Sequence, residues 1–236
     1  MSLLNLPAWP GFEGFLWLAL TVGLYVIFLR VRQYFNGSGL AQPLLWVSAI
    51  LAVILIMGDM PVARFEQGGL WLVVILGLST VSIGVPIYDN FPIIRQAAGA
   101  FFLAMLIGSV SAVCTALTMA HLIGLDAAIF ASLATKSITS PLAFGVASEI
   151  GGLPTLAMGI VIITGNFGVL VGPRLFALMG VHDVRAQGLA YGVAAHGIGT
   201  AEAMRLSSMM GSFAGLSMGI NGVLTSMLLP YLFALS

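Results

Sequence analysis

A lysine in the middle of an apolar stretch is the first residue of this sequence that could do chemistry. Lys136 lies within residues 127–149, which read AAIFASLATKSITSPLAFGVASE. The polar and helix-breaking residues that follow it are Ser137, Thr139, Ser140 and Pro141. Because Pro141 lacks a backbone N–H and disfavours a helical residue before it, we expect an interrupted helix here. An ammonium group beside the free N–H groups of a half-helix N-terminus is suited to bind a small anion such as a carboxylate. The alternative is a lysine that extends from a loop to the membrane interface.

A second apolar stretch is interrupted at a histidine. Residues 186–204 read AQGLAYGVAAHGIGTAEAM, and the break is expected at His196, Gly197, Gly199 and Thr200, because glycine lowers helix propensity by about 1 kcal/mol relative to alanine. Imidazole titrates near neutral pH, so His196 is a candidate for proton coupling or for hydrogen bonding to a substrate. The alternative is a buried histidine that ties two helices together.

Three further polar residues lie in or near apolar segments. Glu202 is either a counter-charge or proton carrier for the site of Lys136, or an interfacial carboxylate paired with Arg205 three residues later. Asn166 and Asn221 either line a polar path or hold helices together by hydrogen bonds.

The composition requires a membrane for these segments. The chain is 60% hydrophobic and 7% charged, with a mean hydropathy of +1.10 and zero net charge. A soluble domain carries about 25% charged residues. Nothing indicates a nucleic-acid partner. The sequence contains no metal-ligand constellation, nucleophile elbow or phosphate loop, so we expect neither an enzyme nor a cofactor. The single Cys114 is expected to be a small buried hydrophobe.

Six continuous apolar runs are each about long enough to cross a bilayer as a helix. They lie at 12–29, 41–57, 70–87, 98–121, 154–172 and 212–235. The predicted fold is therefore an all-α transmembrane protein with about six full spans and two interrupted helices, which are either re-entrant or discontinuous.

The distribution of arginines favours re-entrant segments. If both interrupted segments return to the side from which they enter, Arg64 alone among the seven arginines faces outward, whereas full crossing divides the basic residues about evenly. Residues 98–149 and 154–205 would then be inverted copies, as in secondary transporters whose binding site lies between two broken helices.

Several motifs in order resemble one family. Residues 135–143, TKSITSPLA, resemble the PKS(V/I)TTP(I/L)A signature of the LrgB/CidB family, and 188–203, GLAYGVAAHGIGTAEA, is similar to its G-x-A-S-H-x-I-G-T-A-x-A motif. Residues 149–154, 161–173 and 213–230 also match. Residues 76–88 depart from the pattern at Leu78 and Ser79. The resemblance is strongest over 70–236 of a single transmembrane domain, 1–236.

The resemblance implies two functions. One is transport of small monocarboxylates of the glycolate, glycerate or pyruvate class. The other is antiholin-like or holin-like regulation of murein hydrolase export and autolysis with a small LrgA/CidA-type membrane partner. We expect a multi-pass protein of the inner membrane, with a homodimer as a further expectation. The two broken segments favour transport.

Overall fold

The computed structural model describes residues 11–35 and 41–235, and within these ranges the chain is helical and contains no strand. The helices are α1 (Gly11–Tyr34), α2 (Pro43–Met57), α3 (Val62–Ser82), α4 (Gly84–Asp89), α5 (Phe91–Ile123), α6 (Ala127–Ala134), α7 (Ser140–Glu149), α8 (Pro154–Leu178), α9 (Val184–Leu206) and α10 (Ser208–Ala234). The prediction of an all-α membrane protein is confirmed.

Four of the described helices are long and apolar enough to cross a bilayer, namely α1, α5, α8 and α10. The sequence predicts about six spans, which is more than these four helices. Helix α2 has 15 residues, fewer than the roughly 20 that a span requires. The run expected at 70–87 is divided, because α3 ends at Ser82 and the short α4 begins at Gly84.

The chain forms two compact units, Met1–Ser82 and Ile83–Ser236. In the first unit, Trp17 lies edge-to-face with Phe65 at a ring distance of 6.0 Å. Gly68 of α3 packs so closely on α1 that a Cβ there would meet the Gly14 carbonyl oxygen. The second unit, α4–α10, contains every candidate site residue.

Helices α5 and α10 of the second unit run side by side in the same direction. The rings of Phe101 and Phe213 lie 5.8 Å apart, and eight residues further along each helix Ser109 donates a hydrogen bond to Asn221. Asn90, just before α5, donates to Ser212 Oγ near the start of α10 at 2.8 Å. Both helices therefore start at the same end of the unit.

Cys114 is exposed on α5, so the prediction of a buried cysteine was wrong. The reason is that α5 buries little of its surface within the chain. Cys114 lines a groove of about 150 Å³ between α5 and α10, which also contains Ser109, Asn221 and Thr225.

Asp183 caps the first turn of α9 and gives a pH-dependent contribution to stability. Its carboxylate accepts hydrogen bonds from the Arg185 side chain and backbone N–H, which lower the pKa of Asp183 to about 2. A lowered pKa stabilises the folded state above the unfolded value near 3.8, and this stabilisation is lost as the pH falls towards 2. Asp183→Asn keeps a capping oxygen but cannot be protonated in this range. We expect its melting temperature in detergent to fall less between pH 4 and pH 2 than that of the wild type. Equal acid sensitivity of the two proteins would contradict this assignment.

Candidate functional site

The first interrupted segment is broken where the sequence predicts it. Helix α6 ends at Ala134 and α7 begins at Ser140, with Pro141 in its first turn. The chain then returns to α6, because the Leu153 N–H donates to Ser132 Oγ at 2.8 Å. The segments on either side of the break therefore form a hairpin, hereafter hairpin A (residues 127–149), with residues 135–139 at its tip.

The second interrupted segment also folds back on itself. His196 has φ 39° and ψ −125°, a conformation that is unusual for a non-glycine residue and ends the helical geometry of α9. A Cβ on Gly199 would lie 2.5 Å from the Tyr191 carbonyl oxygen, whereas eight residues of continuous helix would separate these positions by about 12 Å. Residues 184–206 are therefore a second hairpin, hairpin B, with His196 at its tip.

Hairpin B lies along the N-terminal half of α10. A Cβ on Gly188 would meet the Met210 carbonyl oxygen, and one on Gly192 would meet that of Ala214. The outgoing half of hairpin B therefore runs beside α10 in the same direction. The returning half ends at the start of α10, where Met204 Cα lies 2.8 Å from a Cβ built on Gly211.

Hairpin A lies along the C-terminal half of α10. The Phe130 and Phe233 rings are 6.2 Å apart, and Asn221 Nδ2 donates to the Ser137 carbonyl oxygen at 2.7 Å. From its base to its tip, hairpin A thus runs from the end of α10 towards its middle. The two hairpins approach each other from opposite ends of the unit.

The tips of the two hairpins lie near the same part of α8. Ile138 at the tip of hairpin A packs with Val161 of α8, and His196 at the tip of hairpin B lies against the backbone of Val161, within electrostatic range of Lys136. Lys136 Nζ donates to Ser137 Oγ at 3.1 Å. Lys136 is half-buried, and no carboxylate of the described residues pairs with it. The sequence-predicted residues Lys136, Ser137 and His196 are thus brought into one region from positions sixty residues apart.

Helix α8 forms the wall behind His196. The imidazole is 2% exposed and lies against the backbone of Val161. A Cβ on Gly165 would lie 2.8 Å from His196 Cε1, so only glycine lets α8 approach the ring this closely. Nε2 has no hydrogen-bond partner among the described residues. A buried ring nitrogen without a partner at a hairpin tip makes His196 a candidate ligand-binding residue.

Thr139, Ser140 and Pro141 form the start of α7 beyond Lys136, where backbone N–H groups lack helical partners. Gly197 is exposed after the tip of hairpin B, while Gly199 packs against Tyr191. The Thr200 hydroxyl contacts Met218 Sδ at 3.5 Å. Each hairpin therefore presents the start of a short helix near its tip.

The two asparagines differ in their contacts. Asn221 is 1% exposed and bonds both α5 and hairpin A, which is the helix-joining alternative. Asn166 donates only to the Ile162 carbonyl oxygen of its own helix, at 2.8 Å, and its Oδ1 has no partner among the described residues. Asn166 therefore remains the candidate for a polar path.

Glu202 pairs with Arg205, whose Nη2 lies 2.8 Å from Glu202 Oε1. The carboxylate is 7% exposed at the base of hairpin B. This geometry agrees with the interfacial alternative. Nearby, a cleft of about 230 Å³ is lined by Pro173, Phe176, Ala177, Val181, His182, Gln187, Tyr191 and Leu206.

Three residues that shape the site were not identified from the sequence. Val161 contributes a backbone carbonyl, which no side-chain pattern reveals. Ser109 and Thr225 donate to Asn221 Oδ1, and the only available signal was a hydroxyl in an apolar run. Within the described part of the chain, no group of three His, Cys, Asp or Glu residues could hold a metal ion.

The LrgB-like family model matches residues 21–235. The chain is 31% identical over 219 residues to the Bacillus subtilis protein named "Uncharacterized protein YwbG", covering 89% of this chain and 97% of that protein. It is 29% identical over 223 residues to the "Holin-like protein CidB" of Staphylococcus epidermidis and to that of Staphylococcus aureus, covering 94% of this chain and 97% of each relative. No solved structure matches the chain.

Proposed function

Because the chain belongs to the LrgB-like family of membrane proteins, and its two broken helices meet at a lysine, we propose that it is a transporter subunit for small monocarboxylates. The carboxylate would bind between the tips of hairpins A and B. The single observation that carries this proposal is the convergence of the two hairpin tips, which carry Lys136 and His196, at α8 and the middle of α10. Glycolate, glycerate and pyruvate are the substrates to test first.

The charge of the site favours an anion. A lysine within an apolar segment costs at least about 2.5 kcal/mol unless a counter-charge is near. No described carboxylate pairs with Lys136, so an anion from solution can supply that charge. The N-termini of α7 and of residues 197–206 add partial positive charge from two directions. Ser137, Thr139 and Ser140 supply hydroxyl donors beside the ammonium group.

The arginines of the second unit support one orientation in the membrane. Arg174, Arg185 and Arg205 flank the bases of hairpin B, and Arg95 lies in the second turn of α5, at the same end of the unit. The positive-inside rule places this end in the cytoplasm. Hairpin B is then re-entrant from the cytoplasm and hairpin A from the opposite side.

This orientation makes residues 98–149 and 154–205 inverted repeats. Each repeat consists of one long helix, α5 or α8, followed by one hairpin, and the two hairpins enter from opposite sides. Inverted repeats with broken helices that meet near the midplane are characteristic of secondary transporters. Both units would belong to a single transmembrane domain of the inner membrane, since the family match spans the boundary at Ser82.

A second candidate function is holin-like or antiholin-like regulation of murein hydrolase export and autolysis. The observation that favours it is the name of the relatives, which are called holin-like proteins, and these names support this function better than they support carboxylate transport. A regulator would act with a small LrgA/CidA-type membrane protein. A homodimer is compatible with both functions.

Purified protein in proteoliposomes distinguishes the two. We expect saturable uptake of radiolabelled pyruvate, glycolate or glycerate across an imposed pH gradient, with retention of an entrapped fluorescent dye, either alone or with the small partner. Saturable uptake without dye release supports the carrier. Release of the dye without saturable uptake supports the holin-like function and contradicts transport.

A further inference from the structure

The tip of hairpin A contains a carbonyl group whose helical donor does not exist in this sequence. In a continuous helix the Ser137 carbonyl oxygen would accept a hydrogen bond from the N–H of residue 141. Residue 141 is proline and has no N–H. In an apolar environment an unsatisfied backbone group costs several kcal/mol, so an interrupted helix survives only where another group completes the bond.

Asn221 of α10 provides that bond. Its Nδ2 lies 2.7 Å from the Ser137 carbonyl oxygen, and its side chain is 1% exposed. The orientation of the amide is defined by its other end, because the hydroxyls of Ser109 and Thr225 both donate to Oδ1. An oxygen that accepts two hydrogen bonds leaves the NH₂ group as the end that faces Ser137.

We propose that Asn221 is a positioning residue that replaces the missing N–H of Pro141 and thereby holds Lys136 in the site. Lys136 precedes Ser137 directly and donates to its side-chain oxygen at 3.1 Å. Fixing the Ser137 carbonyl therefore fixes the backbone that carries the ammonium group. The effect on the anion rests on the proposed transport function, whereas the hydrogen-bond replacement does not.

A thermodynamic cycle between positions 221 and 141 tests the replacement. Asn221→Val is expected to lower the melting temperature in detergent by roughly 5 °C, because the Ser137 carbonyl is left unsatisfied. In a Pro141→Ala background the N–H of Ala can donate to this carbonyl. Asn221→Val should then lower the melting temperature by less than half as much. Pro230→Ala, which removes a proline inside α10, is the matched control and should leave the cost of Asn221→Val unchanged. Equal costs in all three backgrounds would overturn the proposal.

The positioning of Lys136 has its own measurements. Asn221→Val is expected to raise the half-saturation concentration for carboxylate uptake about tenfold with a smaller change in maximal rate per folded protein. The variant with both Pro141→Ala and Asn221→Val should regain melting temperature without regaining this affinity. The reason is that a helix continued through residues 135–139 would move Lys136. An unchanged half-saturation concentration in folded Asn221→Val overturns the positioning role. If Asn221→Val does not fold, Asn221→Ser, whose hydroxyl is too short to reach Ser137, replaces it.

The rate of cysteine labelling at position 136 does not depend on transport, so it tests this inference separately from the proposed function. In a Cys114→Ala background, Lys136→Cys can be labelled with a water-soluble maleimide. We expect Asn221→Ser to change the labelling rate at least threefold and Ser148→Ala, an exposed serine bonded only within α7, to leave it unchanged. If the wild type transports no carboxylate, the proposed function fails while this rate and the melting cycle still decide the role of Asn221. Equal labelling rates in the Asn221→Ser and Ser148→Ala variants would contradict the positioning role of Asn221.

Discussion

Lys136→Met is expected to abolish saturable carboxylate uptake while the protein still folds and enters the membrane. Methionine keeps the length and the apolar stem of lysine but removes its ammonium group from the tips of the two hairpins. Losing a charged partner of a bound ion costs about 2–5 kcal/mol, so the half-saturation concentration should rise by roughly thirtyfold to several thousandfold. Uptake of radiolabelled substrate into proteoliposomes measures this directly.

Lys136→Arg and Ser148→Ala complete the experiment on Lys136. Arginine retains the charge with a different geometry, so part of the affinity should return. Ser148→Ala is the control for purification and reconstitution and should transport like the wild type. If Lys136 only extends to the membrane interface, Lys136→Met should transport like the wild type. That result would remove the lysine from the site even if the protein proves to be a carrier.

The positions of both breaks could be predicted from the sequence because their causes are local. Pro141 stops a helix by its own chemistry, and glycines after His196 weaken one. The length of the spans was less predictable. Hydropathy marks apolar runs but not where a helix ends, so it predicts one span at 70–87 although the helix ends at Ser82.

The meeting of the two breaks could not be predicted, because it depends on contacts between residues far apart in sequence. Lys136 and His196 approach each other since both hairpins pack on α10, hairpin B through its Gly188 and Gly192 and hairpin A against Asn221. Nothing in the local sequence of Asn221 indicates its partner. The pair of Glu202 with Arg205, in contrast, could be predicted from their spacing of three residues.

The packing of hairpin B on α10 predicts the largest effect on stability. Gly192→Ala is expected to lower the melting temperature strongly, because the added Cβ would overlap the Ala214 carbonyl oxygen and Ser217 Oγ. A backbone carbonyl cannot rotate away as a side chain can, so α10 and hairpin B must separate. Overpacking of this kind costs typically 1–3 kcal/mol, and the hydrogen bond from Ser217 Oγ to the Leu189 carbonyl oxygen would also be disturbed.

Gly219→Ala is the matched control for this prediction, since it lies in α10 and a Cβ there meets no atom within 4 Å. Alanine favours a helix over glycine by about 1 kcal/mol, so this variant should melt at or above the wild-type temperature. Opposite shifts for Gly192→Ala and Gly219→Ala would show that the close approach of hairpin B to α10, rather than glycine content, stabilises the unit. Because the same contact sets the position of His196, a destabilised Gly192→Ala should also lose carboxylate affinity, and a variant that melts like the wild type would contradict the packing described for hairpin B.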